Sequence, residues 1–277
     1  MNLIFVAKKP LFISSNHYLN VLKRKYKEKK AGFSGTLDPF ACGALIVAFG
    51  HYTKLFPFLD TQKKLYKATL FLGLKSESLD LENIKGVEKI PPFSKEKVES
   101  VLKSLVGEVK FTPPKYSAKK INGKRAYELI RAGEDSALKD SLREQSMQVY
   151  SLELLNYSHP FISFSVCVSK GGYVRSLGEL ISSKLGCVGA LSYLERISEG
   201  ELIYDKEKPL NPLEILPFEK IDARGDKGLR EIILNGKRWN PKLKESKKYI
   251  VQFSDFFSII TQSKERVEYL ANRIPLC

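Results

Sequence analysis

The stretch Phe161–Ser169 is the part of this chain that most restricts its fold. Its apolar side chains occupy every second position, at Ile162, Phe164, Val166 and Val168. Successive side chains of a β-strand point to opposite faces of a sheet, so this alternation predicts a strand with one face on a core. The fold must therefore contain a sheet with a buried face.

Further strands and helices mix without a regular repeat. Strand patterns are predicted at residues 2–7 and 66–72, and helices at residues 16–30 and 94–105. Ser94 is the expected N-cap of the second helix, and Ser176-x-x-Glu179 predicts a capping box that opens a third helix ending near Gly186. Strands and helices that do not alternate as βαβ units favour an α+β fold.

The proline-rich stretch KPLNPLEILP, residues 208–217, is the predicted linker. It divides the chain into a domain of residues 1–212 and a small module of residues 213–277. The module is expected to hold a helix at 229–234, a turn at Asn235-Gly236, strands at 249–253 and 257–261, and a terminal helix.

The charge balance predicts a polyanionic partner. Lys and Arg number 46 against 31 Asp and Glu, which gives a formal net charge of +15. Binding to nucleic acid releases counterions from each neutralised phosphate, so a basic surface suits it. A generally basic proteome or a need for solubility would produce the same balance. Three basic runs are candidate phosphate contacts: residues 23–30, residues 63–67 and residues 115–125.

The cysteines and the N-terminus indicate a cytoplasmic protein that neither spans a membrane nor holds a metal. Cys42, Cys167, Cys187 and Cys277 are widely spaced and form no C-x-x-C pair, which argues against a zinc site or a disulfide framework. The short apolar run at the N-terminus precedes its charges, the reverse of a signal peptide. Runs of 18 apolar residues do not occur.

The loop GFSGTLDPFACG, residues 32–43, carries the most unusual pattern. It places Asp38 between Leu37 and Pro39, and the proline restricts Asp38 to extended geometry. An isolated Asp-Pro in a glycine-rich loop is more often an ordinary turn than a reactive group. Its neighbours in the sequence must therefore decide its role.

The loop and the sequence segments before and after it resemble motifs of the TruB family of pseudouridine synthases. The loop is similar to the family's G-x-x-G-x-L-D-P-x-A-x-G motif, and Lys9-Pro10 with Ser14-Ser15-Asn16 is similar to its N-terminal motif. Five later segments match in order over about 200 residues. They are Lys64-Leu65-Tyr66; residues 73–80; PPKYSAK at 113–119 with Gly123 and Tyr127; SKGGYVR at 169–175; and Leu191, Leu194, Arg196 and Gly200.

The resemblance implies a catalytic fold with a central mixed, mainly antiparallel sheet flanked by helices, and a small C-terminal PUA-like RNA-binding module. It implies that the chain converts uridine 55 in the T-loop of tRNA to pseudouridine after flipping the base out. The implied catalytic residues are Asp38, Tyr66 and Arg175. The implied substrate-binding residues are Leu194, Tyr173, Phe33, Lys64, Asp80 and Lys9.

The chemistry of these residue types fits the reaction. Exchange of a C1′–N1 bond for a C1′–C5 bond is redox-neutral, so no cofactor and no metal are expected. A carboxylate can act covalently or electrostatically on the sugar or on the base, and an adjacent arginine orients it. A tyrosine ring can stack on the flipped base, and the resemblance also implies a role for its hydroxyl in proton transfer at the sugar.

One position departs from the family pattern, and other functions stay open. Phe33 stands where many bacterial members carry a histidine, which keeps an aromatic plane but loses a polar group. His17, His51 and His159 match no catalytic histidine. A module that only binds or folds RNA is one alternative, and a synthase that depends on a guide RNA is another. A zinc deaminase would need H-x-E and P-C-x-x-C motifs, which are missing from the sequence. We expect a stand-alone monomer that acts on tRNA without a guide RNA or protein partner.

Overall fold

The computed structural model describes residues 1–117, 120–121, 124–125, 143–237, 239, 241, 243–263 and 266–276. Within these ranges the chain forms a large mixed sheet and a smaller C-terminal sheet. The strands of the large sheet are β1 (Leu3–Lys9), β2 (Ala31–Phe33), β3 (Cys42–Phe49), β4 (Lys63–Leu72), β7 (Gly107–Phe111), β10 (Gln145–Ser158), β11 (Phe161–Ser169), β12 (Gly189–Glu199) and β13 (Leu202–Ile203). Two hairpins join β5 (Leu74–Ser76) to β6 (Ile84–Val87), and β8 (Lys120–Ile121) to β9 (Lys124–Arg125).

The main path of the large sheet runs β1-β3-β12-β4-β11-β10-β7, while β2 pairs with β3 and β13 with β12. All of these pairings are antiparallel except that of β12 with β3, which is parallel. The helices are α1 (Ser15–Lys25), α2 (Lys95–Lys103), α3 (Val174–Leu185), α4 (Pro212–Ile215) and α5 (Lys227–Leu234), with a 3₁₀ helix at Gly50–Phe58. The predicted α+β fold with a mainly antiparallel mixed sheet is confirmed.

Helices α2 and α3 cover one face of the sheet, with α2 on β10 and α3 on β12, β4 and β7. The alternation predicted for β11 is confirmed, because Ile162, Phe164, Val166 and Val168 are all fully buried. They join a core cluster with apolar residues of both helices. Ser94 caps α2 as predicted, and its side chain accepts a hydrogen bond from the backbone N–H of Lys97.

Strand β3 is buried on both faces, which explains its unbroken apolar sequence. Leu45 and Val47 pack with α1 on one side. Ile46 on the other side belongs to a cluster that includes Ile250 and Phe257 of the C-terminal sheet. Burial on two sides makes β3 a rigid support for the loop that precedes it.

The C-terminal sheet has the order β14-β15-β16-β17, formed by β14 (Glu219–Asp222), β15 (Lys248–Gln252), β16 (Phe256–Ser263) and β17 (Arg266–Pro275). The predicted helix at 229–234 is present as α5, and strands occur near both predicted positions. The predicted terminal helix is wrong, since residues 266–275 form β17 and pair with β16. The likeness of this unit to a PUA domain stays a prediction.

Several predicted element ends also differ. The first helix ends at Lys25 rather than near residue 30, because Tyr26 caps it and Lys27 has a φ of 50°. The predicted linker contains α4, whose Leu213 is buried in the cluster shared with β3. The division of the chain at residues 212 and 213 stays a prediction.

The predicted capping box at Ser176 is wrong. Helix α3 begins at Val174, and its N-cap, Tyr173, lies three residues before Ser176 and makes no side-chain capping bond. The hydroxyl of Ser176 instead donates to the carbonyl of Thr112 at 2.8 Å, which ties the helix to the segment after β7. Arg175 therefore lies in the first turn of α3.

Three of the four cysteines, Cys42, Cys167 and Cys187, are free thiols, and Cys277 lies outside the described residues. In the described part of the chain, no helix is both long enough and apolar enough to cross a membrane.

Candidate active site

The loop that carries Asp38 connects β2 to β3, and buried side chains hold its backbone in place. The hydroxyl of Ser15 accepts a hydrogen bond from the N–H of Leu37 and donates to its carbonyl, both at 2.9 Å. Lys9 is fully buried, and its ammonium reaches the carbonyl of Pro39 at 3.4 Å. These contacts hold the residues on both sides of Asp38, so the loop presents that carboxylate in one place.

Lys9 is buried beneath this loop as a structural cation. Its ammonium also donates to the carbonyls of Pro10 at 2.8 Å and Ile13 at 2.7 Å. Burial lowers the pKa of Lys9 from 10.5 to about 8, and the nearby charge of Asp38 partly opposes that change.

Arg175 joins two carboxylates at the start of α3. One guanidinium nitrogen lies 3.0 Å from Asp38 Oδ2, and the other lies 3.0 Å from Asp80 Oδ2. The same two nitrogens donate to the carbonyls of Ser78 at 2.7 Å and Tyr116 at 2.8 Å. Arg175 is only 3% exposed, whereas the side chain of Asp38 is 30% exposed. A fixed arginine fork of this kind orients the accessible carboxylate toward the adjacent cavity.

Asp80 supports this arrangement from inside the protein. It accepts hydrogen bonds from the Ser78 hydroxyl at 2.5 Å and from the N–H of Glu82 at 2.9 Å. Burial raises the pKa of Asp80, and the charge of Arg175 is the main influence in the opposite direction. Its position indicates that Asp80 holds Arg175 rather than reacting itself.

Tyr66 lies on β4, opposite Val166 of β11 and Arg196 of β12. Its side chain is buried, and burial raises the pKa of the hydroxyl above its usual value of 10 despite the nearby charge of Arg196. The hydroxyl is therefore protonated at neutral pH.

A cavity of about 340 Å³ brings most of the predicted residues together. Those that line it are Asp38, Tyr66, Arg175, Leu194, Tyr173 and Lys64. Its lining combines a carboxylate and two cations with apolar and aromatic side chains. A planar base with polar edges suits this combination.

A second cavity of about 250 Å³ lies on the other side of Asp38 and Arg175. Phe33 and Asp80 line it, together with Tyr116 and the N-terminal residues of α1. Two predicted residues therefore lie beside the neighbouring cavity. Lys9, the remaining predicted substrate-binding residue, is buried and supports the Asp38 loop through the carbonyl of Pro39.

Sequence reasoning missed one central residue, Glu199, at the end of β12. Its carboxylate is 1% exposed, accepts a hydrogen bond from Ser34 Oγ at 2.9 Å and lies 3.3 Å from Lys64 Nζ. Its second oxygen lies 3.5 Å from Arg196 Nη2. Glutamates are rarely buried unless paired, and these partners come from separate segments, so the sequence offers no local signal.

The basic runs are only partly described. Lys23, Arg24 and Lys25 form the last turn of α1, where positive side chains also suit the helix dipole. Ala118, Lys119, Gly123 and Tyr127 of the predicted motif lie outside the described residues, as do residues 118–119 and 122–123 of the third basic run.

Two solved structures share the fold of this chain. The chain resembles the structure described as an H/ACA RNP bound to a substrate RNA containing 2′-deoxyuridine, with a TM-score of 0.67, 17% identity, and coverage of 99% of this chain and 85% of that chain. A Cbf5-Nop10-Gar1 complex gives the same TM-score at 20% identity, with 98% of this chain and 85% of that chain covered. At these identities the likeness shows the fold alone.

The family of the chain is shown by comparison of its sequence with known families and relatives. Residues 23–174 match the model of the TruB family pseudouridylate synthase N-terminal domain. A relative from Campylobacter curvus (strain 525.92) is 49% identical over 100% of both chains, and one from Sulfurovum sp. (strain NBC37-1) is 48% identical over 99% of this chain and 98% of its own. Both are named tRNA pseudouridine synthase B. The chain belongs to the TruB family of pseudouridylate synthases, which confirms the predicted resemblance.

Proposed function

We propose that this chain isomerises uridine 55 in the T-loop of tRNA to pseudouridine, with Asp38 as the reacting carboxylate. One observation carries the proposal: the partly exposed carboxylate of Asp38 lies 3.0 Å from buried Arg175, on a cavity that Tyr66 and Leu194 also line. Relatives named tRNA pseudouridine synthase B, matched over nearly their whole length, support tRNA as substrate.

The reaction balances without any oxidant or reductant. The C1′–N1 bond breaks and the C1′–C5 bond forms, while C5 gives up its proton and N1 gains one. Asp38 acts on the sugar or on the base ring from a position that Arg175 fixes. The flipped base stacks on Tyr66, whose protonated hydroxyl is available for proton transfer at the sugar.

The remaining predicted residues have supporting roles in this proposal. Leu194, Tyr173 and Lys64 form the walls of the base cavity. Phe33 offers an aromatic plane to the RNA beside the second cavity, and Asp80 and Lys9 hold Arg175 and the Asp38 loop. The net charge of +15 supports contact with the tRNA backbone.

We further propose that the enzyme acts in the cytoplasm as a monomer, without a guide RNA or a protein partner. In this proposal residues 1–212 form the catalytic domain, and residues 213–277 form a PUA-like module that contacts RNA. Modification of purified tRNA by the purified chain alone, together with a monomeric mass in light scattering, would test the first part. A requirement for an added RNA would contradict it.

The decisive experiment compares the wild-type chain with Asp38→Asn on a T-arm RNA labelled with tritium at C5 of uridine. Release of tritium reports departure of the C5 proton. We expect the variant to lose at least about 1,000-fold in rate, as is typical when a reacting group is removed, and to bind the RNA with unchanged affinity.

A matched control is Asp255→Asn, which removes an exposed carboxylate paired with Arg230 at 2.8 Å. The control should react like the wild type. Equal pseudouridine formation by Asp38→Asn would overturn the assignment of Asp38. Binding or folding of RNA without any tritium release by the wild type would instead favour a module that only binds or folds RNA.

A further inference from the structure

Glu199 connects Lys64, which lines the base cavity, and Arg196 to Ser34 at the start of the Asp38 loop. A carboxylate buried this deeply is costly unless cations and donors surround it. Its cationic partners both serve the cavity: Lys64 lines it, and Arg196 lies beside the hydroxyl of Tyr66. Two positive charges and one negative charge thus form a cluster beside the cavity, and Lys64 is shared by both.

The backbone of the loop rests directly on this cluster. Gly35 has a φ of +60°, and a Cβ added there would lie 2.7 Å from Glu199 Oε1 and 2.8 Å from Lys64 Nζ. Arg196 donates to the carbonyl of Gly35 at 2.8 Å and to that of Ala44 at 2.7 Å. The cluster therefore holds one residue near the start of the loop that presents Asp38 and one residue of β3 just past its end.

We propose that Glu199 is a positioning residue for the isomerisation, which holds Lys64 and Arg196 beside the cavity and, through Ser34, fixes the start of the Asp38 loop. This inference rests on the proposed function. Glu199 is not among the residues that line the cavity, so it acts through its partners. Its loss should change the geometry and charge of the site while leaving the RNA-binding surface intact.

The charge of Glu199 also predicts a shift in pH dependence. Burial lowers the pKa of Lys64, Arg196 lowers it further, and Glu199 raises it. Asp38 and Tyr66 line the same cavity, but the charged groups that act on the Lys64 amine are these two residues of β12. In this inference the reaction needs the Lys64 ammonium in the cavity. Without the Glu199 charge the pKa of Lys64 falls further, so the ammonium and the rate that depends on it are lost at lower pH.

The test compares Glu199→Gln with Glu195→Gln. Both variants neutralise a glutamate of β12, but Glu195 is partly exposed and pairs with Lys8 at 3.1 Å. We expect Glu199→Gln to lower the single-turnover rate by about 10- to 100-fold, since a misplacement of about 1 Å can cost about 100-fold. Its affinity for tRNA should be unchanged, and the alkaline limb of its rate profile should move to lower pH. Glu195→Gln should match the wild type in all three measurements.

A second variant protects the test against loss of folding. Ser34→Ala removes only the hydrogen bond between the loop and Glu199 and keeps every charge. It should lower the rate several-fold and leave the alkaline limb in place. An active wild type with unchanged rates in both Glu199→Gln and Ser34→Ala would overturn the inference alone. An inactive wild type would overturn the proposed function and the inference together.

Discussion

The substitution Arg175→Met removes a buried charge but keeps much of the side-chain length. In the native chain the guanidinium faces Asp38 and Asp80 at 3.0 Å each, and it donates to the carbonyls of Ser78 and Tyr116. The variant leaves Asp80 buried without this ion pair, and both carbonyls lose these donors. We therefore expect a large loss of stability together with a loss of activity.

The magnitude follows from the burial of each partner. Removal of one member of a buried ion pair costs about 3–5 kcal/mol, and this range applies to Asp80, which is 3% exposed. Asp38 is 30% exposed, so its lost pair adds little to stability. Donors from Ser78 and Glu82 still reach the Asp80 carboxylate. We expect the free energy of unfolding to fall by about 3–5 kcal/mol.

Urea denaturation followed by circular dichroism measures this loss. The double variant Arg175→Met/Asp80→Asn should recover most of it, because replacing both partners of a buried pair is far less costly than removing one. Arg230→Met is the exposed control, since Arg230 pairs with Asp255 at the surface. It should lose no more than about 1 kcal/mol.

Measuring pseudouridine formation by the same variants separates the role of Arg175 in catalysis from its role in stability. Both variants at Arg175 should fail to form pseudouridine, because Asp38 loses its cation in each. If Arg175→Met lost as little stability as Arg230→Met, the buried electrostatic role of Arg175 would be wrong. If the double variant regained activity along with stability, Asp38 would not depend on this cation.

Three other substitutions test separate parts of the site. Gly35→Ala should slow pseudouridine formation, because its Cβ would lie 2.7 Å from Glu199 Oε1. Gly186→Ala is the control: this glycine has a φ of +81° and open space around it, so the change should cost about 1–2 kcal/mol of stability and leave the rate unchanged. For Lys9→Met the pH dependence is diagnostic, because the native pKa of Lys9 is about 8 and the unfolded value is 10.5. Between these pH values the unfolded wild type binds more protons than the native state, so the melting temperature of the wild type relative to Lys9→Met should rise from pH 8 to 10. A constant difference in melting temperature between the two proteins over this range would contradict the buried ammonium. Tyr66→Phe should lower the single-turnover rate by about 100-fold or more with unchanged tRNA affinity, and an unchanged rate would exclude proton transfer by this hydroxyl.

The sequence was the best guide to those secondary-structure elements that pack one face against an apolar core. The bounds of β11 were correct because one face of the strand is uniformly buried. The predicted terminal helix is wrong, although Glu, Leu, Ala and Arg residues in the last strand, β17, favour helices. Its true partner is β16, and hydrogen bonds to that strand override the local preference.

The same distinction applies to the site. Asp38, Tyr66 and Arg175 lie in motifs that can be read locally, and the structure brings them to one cavity. Glu199 lies in no such motif. Its contacts with Ser34 and Lys64 exist only because β12 inserts between β3 and β4 in the sheet. That insertion joins segments more than 100 residues apart, which no local pattern encodes.

The insertion of β12 also explains the last glycine of the Asp38 loop. β12 pairs with β3 in parallel over a very short stretch, with Glu195 opposite Cys42 and Arg196 opposite Gly43. Gly43 has a φ of +103°, and a Cβ there would lie 2.2 Å from the carbonyl oxygen of Arg196. Any side chain would push the two strands apart at the point where the loop ends. This glycine is therefore required for the close approach of β12 to β3, which brings the Arg196–Glu199 cluster beneath Asp38.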